Sequence, residues 1–261
     1  MADLTMARAH LIKRALPVWR RNFRVWQKLM IASLLGNFLE PLLYLFALGY
    51  GLGRFVTNMD GIPYVSFLAS GIVCSSAMMT ASFECLYSAY TRRSVQGVWD
   101  AMLTAPLAVD DVILGEMLWA GTKSVINVTA ILIVAGSLGI VHAPTAILAM
   151  PIVFLVGICF AAMALVITAF AYGYEFFLYY MSLFLTPLLL LSGVFFPFDT
   201  LPDFLQKIVG LFPLAHAVKI VRPLVIGGEV HHLVWHLSVI VAYLLGAYFV
   251  AVWAMKRRLY T

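Results

Sequence analysis

The stretch "LLLLSGVFFPFDTLPDFLQKIVGLFPLAHAVKIVRPLV", Leu188 to Val225, is the part of the sequence that best indicates the fold. Its first part has the composition of a membrane-spanning helix, but Pro197, Pro202 and Pro213 divide the rest into pieces too short to cross a bilayer. Proline is favoured in the first turn of a helix, and the pieces carry apolar residues at helical spacing. We therefore expect two short amphipathic helices over about residues 197–225. Non-spanning backbone at membrane depth is tolerated where protein or a polar cavity covers it, so they would dip into the membrane and return.

The composition excludes an ordinary soluble domain. Hydrophobic residues make up 63% of the 261 residues and charged residues 11%, and the mean hydropathy is +0.97. Six continuous apolar runs are long enough to cross a bilayer. They are about Leu29 to Leu52, Ile62 to Leu86, Val112 to Val141, Thr145 to Tyr172, Phe176 to Phe196, and Leu233 to Met255. The sequence therefore predicts an all-α, polytopic membrane protein with six transmembrane helices and a broken re-entrant segment before the last span.

The cations concentrate at the two ends of the chain. Seven of the seventeen Lys and Arg residues lie between Arg8 and Lys28, and three more are Lys256, Arg257 and Arg258. By the positive-inside rule this distribution predicts cytoplasmic N- and C-termini. Because these cations flank membrane spans, we expect no nucleic-acid partner. The N-terminus lacks the apolar core of a signal peptide, so the first span would direct insertion.

The N-terminal segment, residues 1–28, mixes cations with Leu, Ile, Val, Phe and Trp, which is the composition of a helix lying in the headgroup layer. Two interpretations remain open. The segment from Met6 to Gln27 is either a basic flank that orients the first span or a surface helix that also touches a cytoplasmic partner. Pro17 is expected to bend or restart it.

Glu40, Glu84 and Glu175 are carboxylates that stand in or near the spans. Glu40, beside Pro41 in the first span, should face inward because an intramembrane carboxylate needs a polar partner or cavity. It either lines a substrate path or pairs with another helix. Glu84 and Glu175 lie near the cytoplasmic ends of their spans, where we expect them to be solvated.

The longest cytoplasmic connection follows the second span, over about residues 92–105. Its sequence "SVQGVWDAML" has the spacing of a short amphipathic helix, which could fill a groove on a partner protein. Trp99 is the expected anchor, and Arg92 and Arg93 are expected to steer an acidic partner surface. The contact residues would be Arg92, Arg93, Val95, Val98, Trp99, Asp100 and Met102. After Pro106, Asp110 or Asp111 can cap the third span.

Three features that suggest other chemistry fail on spacing or position. "GEMLWAGTKS" lacks the spacing of a phosphate loop and lies in an apolar helix, so the chain should bind no nucleotide by itself. His232 and His236 have metal-ligand spacing but no acidic third ligand, which favours a polar helix flank and no metal site. The three cysteines, Cys74, Cys85 and Cys159, lie inside spans, where we expect them to pack as small apolar side chains.

Over essentially its whole length the chain resembles the type 2 ABC exporter permeases (ABC-2 family). The resemblance rests on the order of a basic amphipathic N-terminus, six spans and a cytoplasmic helix after span two. It also rests on "SGVFFPFDTLP", a small-Gly-x-Phe-Phe-Pro run containing Gly193 and Pro197, and on "FPLAHAVKIVRPL", in which Pro213 and Leu214 precede Arg222 at the family spacing. "WRRNFRVWQKLMIASLLGNFLEPLLYLFALGYGLG", "SFLASGIVCSSAMMTASFE" and "WDAMLTAPLAVDDVILGEMLWAGTKS" are similar, more narrowly, to permeases that export lipo-oligosaccharides.

The resemblance implies how such a chain works. Two copies, each with a separate cytoplasmic ATPase that binds ATP and Mg, would form a transporter in the bacterial inner membrane, and this chain itself would hold no cofactor. Residues 29–261 would be the transmembrane domain, with Val95 to Leu103 as the coupling helix beside the N-terminal helix. Spans one and five of both copies would enclose the path and the broken helices would cap it. The path residues would be Phe38, Glu40, Tyr44, Phe184, Phe195 and Phe196.

The function expected is outward transport of an amphiphilic glycolipid or lipo-oligosaccharide. Export of a polysaccharide, lipid or drug by the same family is the nearest alternative. An ion-gradient transporter should show repeated halves, and no repeat is visible. An intramembrane enzyme needs a convergent nucleophile and base or a metal set, and no histidine stands beside a carboxylate at membrane depth.

Overall fold

The structure is a computed structural model that describes residues 2–56, 58–59, 61–141 and 143–259. The side chains of residues 2–12, 32, 34, 37 and 38 are outside the description, and so the predicted path residue Phe38 is too. The helices α1 to α5 are Ala2–Lys28, Met30–Gly51, Tyr64–Phe83, Val98–Leu103 and Val109–Ser137. Helices α6 to α11 are Ala149–Phe170, Phe176–Tyr180, Thr186–Leu191, Asp203–Val209, Pro213–Ile226 and Leu233–Leu259. Strands β1 (Asn58–Met59) and β2 (Ile62–Pro63) form a small antiparallel pair before α3.

The predicted helical membrane fold is confirmed. Among the described residues, four helical segments are long and apolar enough to cross a membrane: Tyr64–Val95, Val109–Ser137, Pro144–Phe170 and Leu233–Leu259. Helix α2, with 22 residues, is about 33 Å long at 1.5 Å per residue, close to the thickness of a hydrocarbon core. The segment Phe176–Leu191 is shorter. The count of six spans therefore stays a prediction.

The second span continues beyond the predicted end at Leu86. Two π-helical stretches, Glu84–Ala89 and Thr91–Val95, carry it onward from α3. A third, Met181–Leu185, joins α7 to α8. Such π-turns occur frequently at functional sites, and the first two contain the charged residues described below.

Helix α6 lies at the centre of the bundle and packs against α3, α5, α10 and α11. A Cβ at Gly157 would lie 2.9 Å from the Cα of Gly121 on α5, so the two backbones touch where only glycine fits. Gly121 belongs to the stretch that superficially suggested a phosphate loop, and close helix packing accounts for it. Cys74, Cys85 and Cys159 are buried free thiols, as predicted.

Helix α1 packs along α5 through Val18, whose Cβ occupies the space that a side chain at Gly115 would need. Trp19 Nε1 donates to Thr122 Oγ1 over 3.0 Å. The expected restart at Pro17 is wrong, because α1 continues through that residue as one helix, and the bend stays a prediction.

The broken segment is confirmed as two proline-opened helices. Pro202 precedes α9, Pro213 begins α10, and the two helices meet at 90°. Arg222 fastens α10 to the bundle, since its guanidinium lies 3.6 Å from the centre of the Phe67 ring and donates to the carbonyl of Gly193 over 2.6 Å. Gly193 has a φ of +79°, which favours glycine in this turn after α8.

Candidate translocation cavity and buried ion network

A cavity of about 510 Å³ lies between α2, the second span, α5 and α8. Its lining residues are Gly36, Glu40, Pro41, Tyr44, Ile72, Ser75, Ser76, Met79, Thr80, Phe83, Glu84, Tyr87, Ser88, Lys123, Leu189 and Phe195. A cavity of this size fits the range of small-molecule sites. It extends along the second span from Ile72 to Ser88, so its long direction follows the axis of that helix.

One side of the cavity is a polar stripe on the second span. Ser76, Thr80, Glu84 and Ser88 recur at intervals of four residues and therefore share one helix face. Asn127 on α5 donates through Nδ2 to Ser76 Oγ and Thr80 Oγ1, each over 2.9 Å. Each hydroxyl keeps a proton to donate, so the stripe can exchange hydrogen bonds with a hydroxyl-rich ligand.

Aromatic side chains stand beside this stripe. The rings of Tyr44 and Phe195 are tilted at 5.9 Å between centroids. Those of Phe83 and Tyr87 stack at 5.6 Å. Aromatic faces offer apolar surface, and tyrosine adds a polar tip. The cavity therefore combines hydroxyl groups with aromatic surface, a chemistry suited to an amphiphile.

The structure brings three of the predicted path residues together and separates two others. Glu40, Tyr44 and Phe195 line the cavity. Phe184 instead stacks on Tyr180 and meets Phe212 edge to face, away from the cavity. Phe196 is half-buried and does not line it.

At the end of the cavity near α4, hereafter the α4 end, lies a buried group of four charges: Glu84, Arg92, Glu116 and Lys123. Arg92 Nη2 lies 3.0 Å from Glu84 Oε1, and Lys123 Nζ lies 2.8 Å from Glu84 Oε2. Arg92 also holds Glu116 with two hydrogen bonds, from Nε to Oε1 over 3.0 Å and from Nη2 to Oε2 over 2.5 Å. Two positive and two negative charges therefore balance.

Three neutral donors complete the group, which we call the ion network. Trp119 Nε1 donates to Glu84 Oε1 over 3.0 Å. Trp99 Nε1 donates to Glu116 Oε1 over 3.2 Å, and Asn22 Nδ2 donates to Glu116 Oε2 over 2.9 Å. Every carboxylate oxygen thus has a donor, the condition under which buried charges are tolerated. The network ties α1, α4, α5 and the second span together, and Glu84 and Lys123 reach the cavity.

The expected solvation of Glu84 is wrong, because its side chain is 4% exposed within the network. Glu175, by contrast, is exposed as expected. Sequence reasoning missed Glu116 and Lys123 altogether. The available signal was their position inside the apolar run from Val112 to Val141, where a charged side chain needs a polar partner or cavity.

The expectation that Trp99 is presented to a partner needs correction. Its side chain is fully buried inside this chain. Helix α4 begins after Gly97, whose φ of +61° turns the chain back toward the bundle. The apolar side of α4 is therefore covered by the chain's own helices.

Arg92 and Arg93 are also not surface cations. The Arg92 side chain is 13% exposed and belongs to the ion network. Arg93 is buried between the Tyr90 ring and Met255, where Nη1 lies 3.1 Å from the sulfur. Neither guanidinium is placed to steer a partner by long-range attraction.

The segment does keep an exposed edge at the α4 end. Its exposed residues are Ser94, Val95, Gln96, Asp100, Ala101, Thr104, Ala105 and Pro106, whereas Val98 and Met102 are half-buried. Arg14 Nη2 on α1 donates to the Pro106 carbonyl over 3.0 Å. Asp111 Oδ2 accepts from the Ala108 amide over 2.8 Å and caps α5, while Asp110 pairs with Lys256 at 2.7 Å. Of the two possible caps, Asp111 is therefore the one used.

At the opposite end, two histidines meet between α10 and α11. His216 Nδ1 lies 2.6 Å from His236 Nδ1, and His216 Nε2 lies 2.9 Å from the Gly210 carbonyl. Both rings are buried. His236 is thus a packing contact between helices and not the polar flank expected from its spacing with His232.

A bundle of apolar helices around an amphiphilic cavity is the architecture of a membrane permease. The model of the family described as ABC-2 type transporter matches residues 16–226, and the chain belongs to this family. It is thus a multi-pass membrane subunit of a transporter, and the family implies an ATP-binding cassette ATPase as partner.

The chain is also similar to two nodulation proteins and to one inner membrane transport permease. Nodulation protein J of Sinorhizobium fredii is 42% identical over 242 residues, which cover 93% of this chain and 92% of that one. Nodulation protein J of Rhizobium leguminosarum bv. viciae is 41% identical over 244 residues, 94% of each chain. The inner membrane transport permease YadH of Escherichia coli is 23% identical over 244 residues, which cover 92% of this chain and 93% of that one.

Proposed function

We propose that this chain is the permease subunit of an exporter that moves an amphiphilic glycolipid or lipo-oligosaccharide outward across the bacterial inner membrane. The observation that carries this proposal is the cavity of about 510 Å³, in which a hydroxyl stripe lies beside aromatic side chains. Sugar hydroxyls would exchange hydrogen bonds with Ser76 and Thr80. Exposed leucines next to the cavity on α2, Leu39 and Leu43, would shelter an acyl chain.

In this proposal a second copy of the chain completes the path. The cavity is bordered by α2 and α8, the first and fifth of the predicted spans. Gly36, on its α2 side, has no described atom within 4 Å of the position of a side chain, so the cavity is open there toward a second copy. The α4 end would face the cytoplasm, since it lies beside the basic α1 and the basic end of α11, and both chain termini would be cytoplasmic.

The ATPase would dock on the exposed edge of the segment from Val95 to Thr104, which includes Asp100. ATP and Mg would be held by that partner. The ion network would transmit movements of the ATPase to the cavity. Trp99 on α4 contacts Glu116, Glu116 contacts Arg92, and Arg92 contacts Glu84 at the cavity wall. A buried charge group is costly to break, so the elements that it joins would move together.

Transport by reconstituted vesicles tests the proposal. The permease and its copurified ATPase would be placed in liposomes with ATP and one of three probes: an acylated oligosaccharide, the same oligosaccharide without the acyl chain, or the acyl chain on a small polar group. We expect ATP-dependent movement of the acylated oligosaccharide alone.

The other outcomes assign different functions. Movement of the unacylated sugar indicates a polysaccharide exporter, and movement of the sugar-free lipid indicates a lipid or drug exporter of the same family. Movement that needs an ion gradient and no ATP indicates a secondary transporter and contradicts the proposal. An ATPase variant that binds but cannot hydrolyse ATP is the control for each probe.

A further inference from the structure

Five cations of α1 share one face, on which four are exposed and Arg21 is half-buried. Lys13, Arg20, Arg21, Arg24 and Lys28 line a shallow cavity of about 500 Å³ on the helix surface. At 3.6 residues per turn they fall within an arc of roughly 100°. The opposite side of the helix carries Ala15, Val18 and Asn22, which are buried. The cationic face therefore points away from the bundle.

This face makes no ion pair with a carboxylate in the part of the chain that the structure describes. Arg14 pairs with Asp111 at 3.8 Å, but it lies outside the five-cation set. No ion pair joins Lys13, Arg20, Arg24 or Lys28 to a described carboxylate. Burial, and next the charge of Arg92, lower the pKa of Arg21 below its ordinary value, although the Glu116 carboxylate acts in the opposite direction. Positive charge is thus crowded here, which favours an anionic ligand.

The position of the face points to a membrane surface. Helix α1 ends at Lys28 and α2, long enough to cross the hydrocarbon core, begins at Met30. The last turns of α1 therefore lie near the depth of the lipid phosphates. Leu16 and Val25, both exposed, flank the cations, and such apolar side chains suit the boundary between headgroups and acyl chains.

We infer that this face of α1 binds anionic phospholipids of the leaflet on which it lies, with Arg20 and Arg24 holding phosphodiester groups. Arginine presents a planar set of donors that matches phosphate. Long basic side chains reach the headgroups while their aliphatic stems stay on apolar surface. An acidic protein surface would pair with the cations, but it would not account for the exposed apolar residues beside them or for their position near the lipid phosphates. An anionic lipid accounts for all three features.

Spin-labelled lipids test the inference. The full-length protein would be reconstituted in phosphatidylcholine, and the preference of its boundary for spin-labelled phosphatidylglycerol over spin-labelled phosphatidylcholine would be measured. R20Q/R24Q should reduce the preference by about fivefold for each cation removed. R20K/R24K should keep most of it. R54Q/K207Q, which removes two exposed cations at the opposite end of the bundle, is the matched control and should keep it all.

Four results would overturn the inference. The wild type could show equal affinity for the two lipids, R20Q/R24Q could keep the full preference, or the control could lose as much as R20Q/R24Q. Soluble glycerol phosphate could displace the labelled lipid at millimolar concentration, which would make this a site for free phosphate. If R20Q/R24Q keeps the full lipid preference but no longer copurifies with the ATPase, the face belongs to the ATPase interface and the inference is wrong.

Discussion

The indole of Trp99 donates to Oε1 of Glu116 over 3.2 Å, and both side chains are fully buried. Trp99 belongs to α4 and Glu116 to α5, so the short helix after the second span is fixed to the interior of its own chain. In the proposed exporter this contact, and not a tryptophan inserted into the ATPase, would transmit movement to the cavity.

Trp99→Ala should therefore destabilise the permease itself. Truncation of a buried aromatic residue costs about 3–5 kcal/mol, and Glu116 also loses a donor. Thermal unfolding of the purified protein measures the change. Val95→Ala is the matched control, because Val95 is 64% exposed, and it should leave the midpoint nearly unchanged. An unaltered midpoint in Trp99→Ala would show that the tryptophan is not packed as described.

Arg92→Gln should be strongly destabilising, because it leaves two buried carboxylates with one ammonium group. Loss of one partner in a buried ion pair costs about 3–5 kcal/mol. Denaturation of R92Q, E116Q and the double variant measures the coupling, and the double variant should lose less than the sum of the two. Lys256→Gln removes a more exposed pair with Asp110 and should cost about 0–1 kcal/mol. Additive losses would mean that the two groups do not interact.

Gly36→Trp should block transport without unfolding the protein. The new side chain enters open space in the cavity, since no described atom lies within 4 Å of its Cβ position. ATP-dependent uptake into vesicles should fall at least tenfold while the unfolding temperature and ATPase copurification stay close to wild type. Gly246→Trp adds the same bulk in equally open space on α11 and should leave transport intact. Full transport by Gly36→Trp would exclude the cavity as the path.

Arg222→Lys should destabilise the broken segment although the charge is kept. The guanidinium stacks on the Phe67 ring and donates to Ser70 Oγ over 3.0 Å, and an ammonium group cannot reproduce this planar contact. Limited proteolysis should cut between α8 and α10 faster in the variant than in wild type. Lys219→Arg, on an exposed neighbour in α10, serves as control. Equal cleavage rates for wild type and Arg222→Lys would contradict the role given to Arg222.

Val95→Asp should weaken binding of the ATPase and leave the fold intact. Val95 lies on the exposed edge of the segment at the α4 end, so a carboxylate there is solvated in the free protein and desolvated under a partner. Copurification with the ATPase should decrease while thermal unfolding is unchanged. Phe204→Asp, exposed at the opposite end, should copurify normally. Undiminished copurification of Val95→Asp places the docking surface elsewhere.

The sequence determined the membrane fold and the broken segment. Long apolar runs have few stable alternatives to helices in a bilayer, because every backbone polar group must be satisfied within the helix. Pro202 and Pro213 fix where α9 and α10 begin, since proline lacks the donor that a helix interior needs. These are local properties, and they are readable without knowing what surrounds each residue.

Only the tertiary structure shows what covers the polar and the apolar side of each helix. Helical spacing showed that Trp99 lies on the apolar side of α4, but it does not say whether that side faces a partner or the same chain. Position near a span end suggested solvent for Glu84, whereas Lys123 and Arg92 enclose it. Contacts between helices distant in sequence set the environment of a charge, and periodicity carries no information about them. That is why the spans could be predicted and the ion network could not.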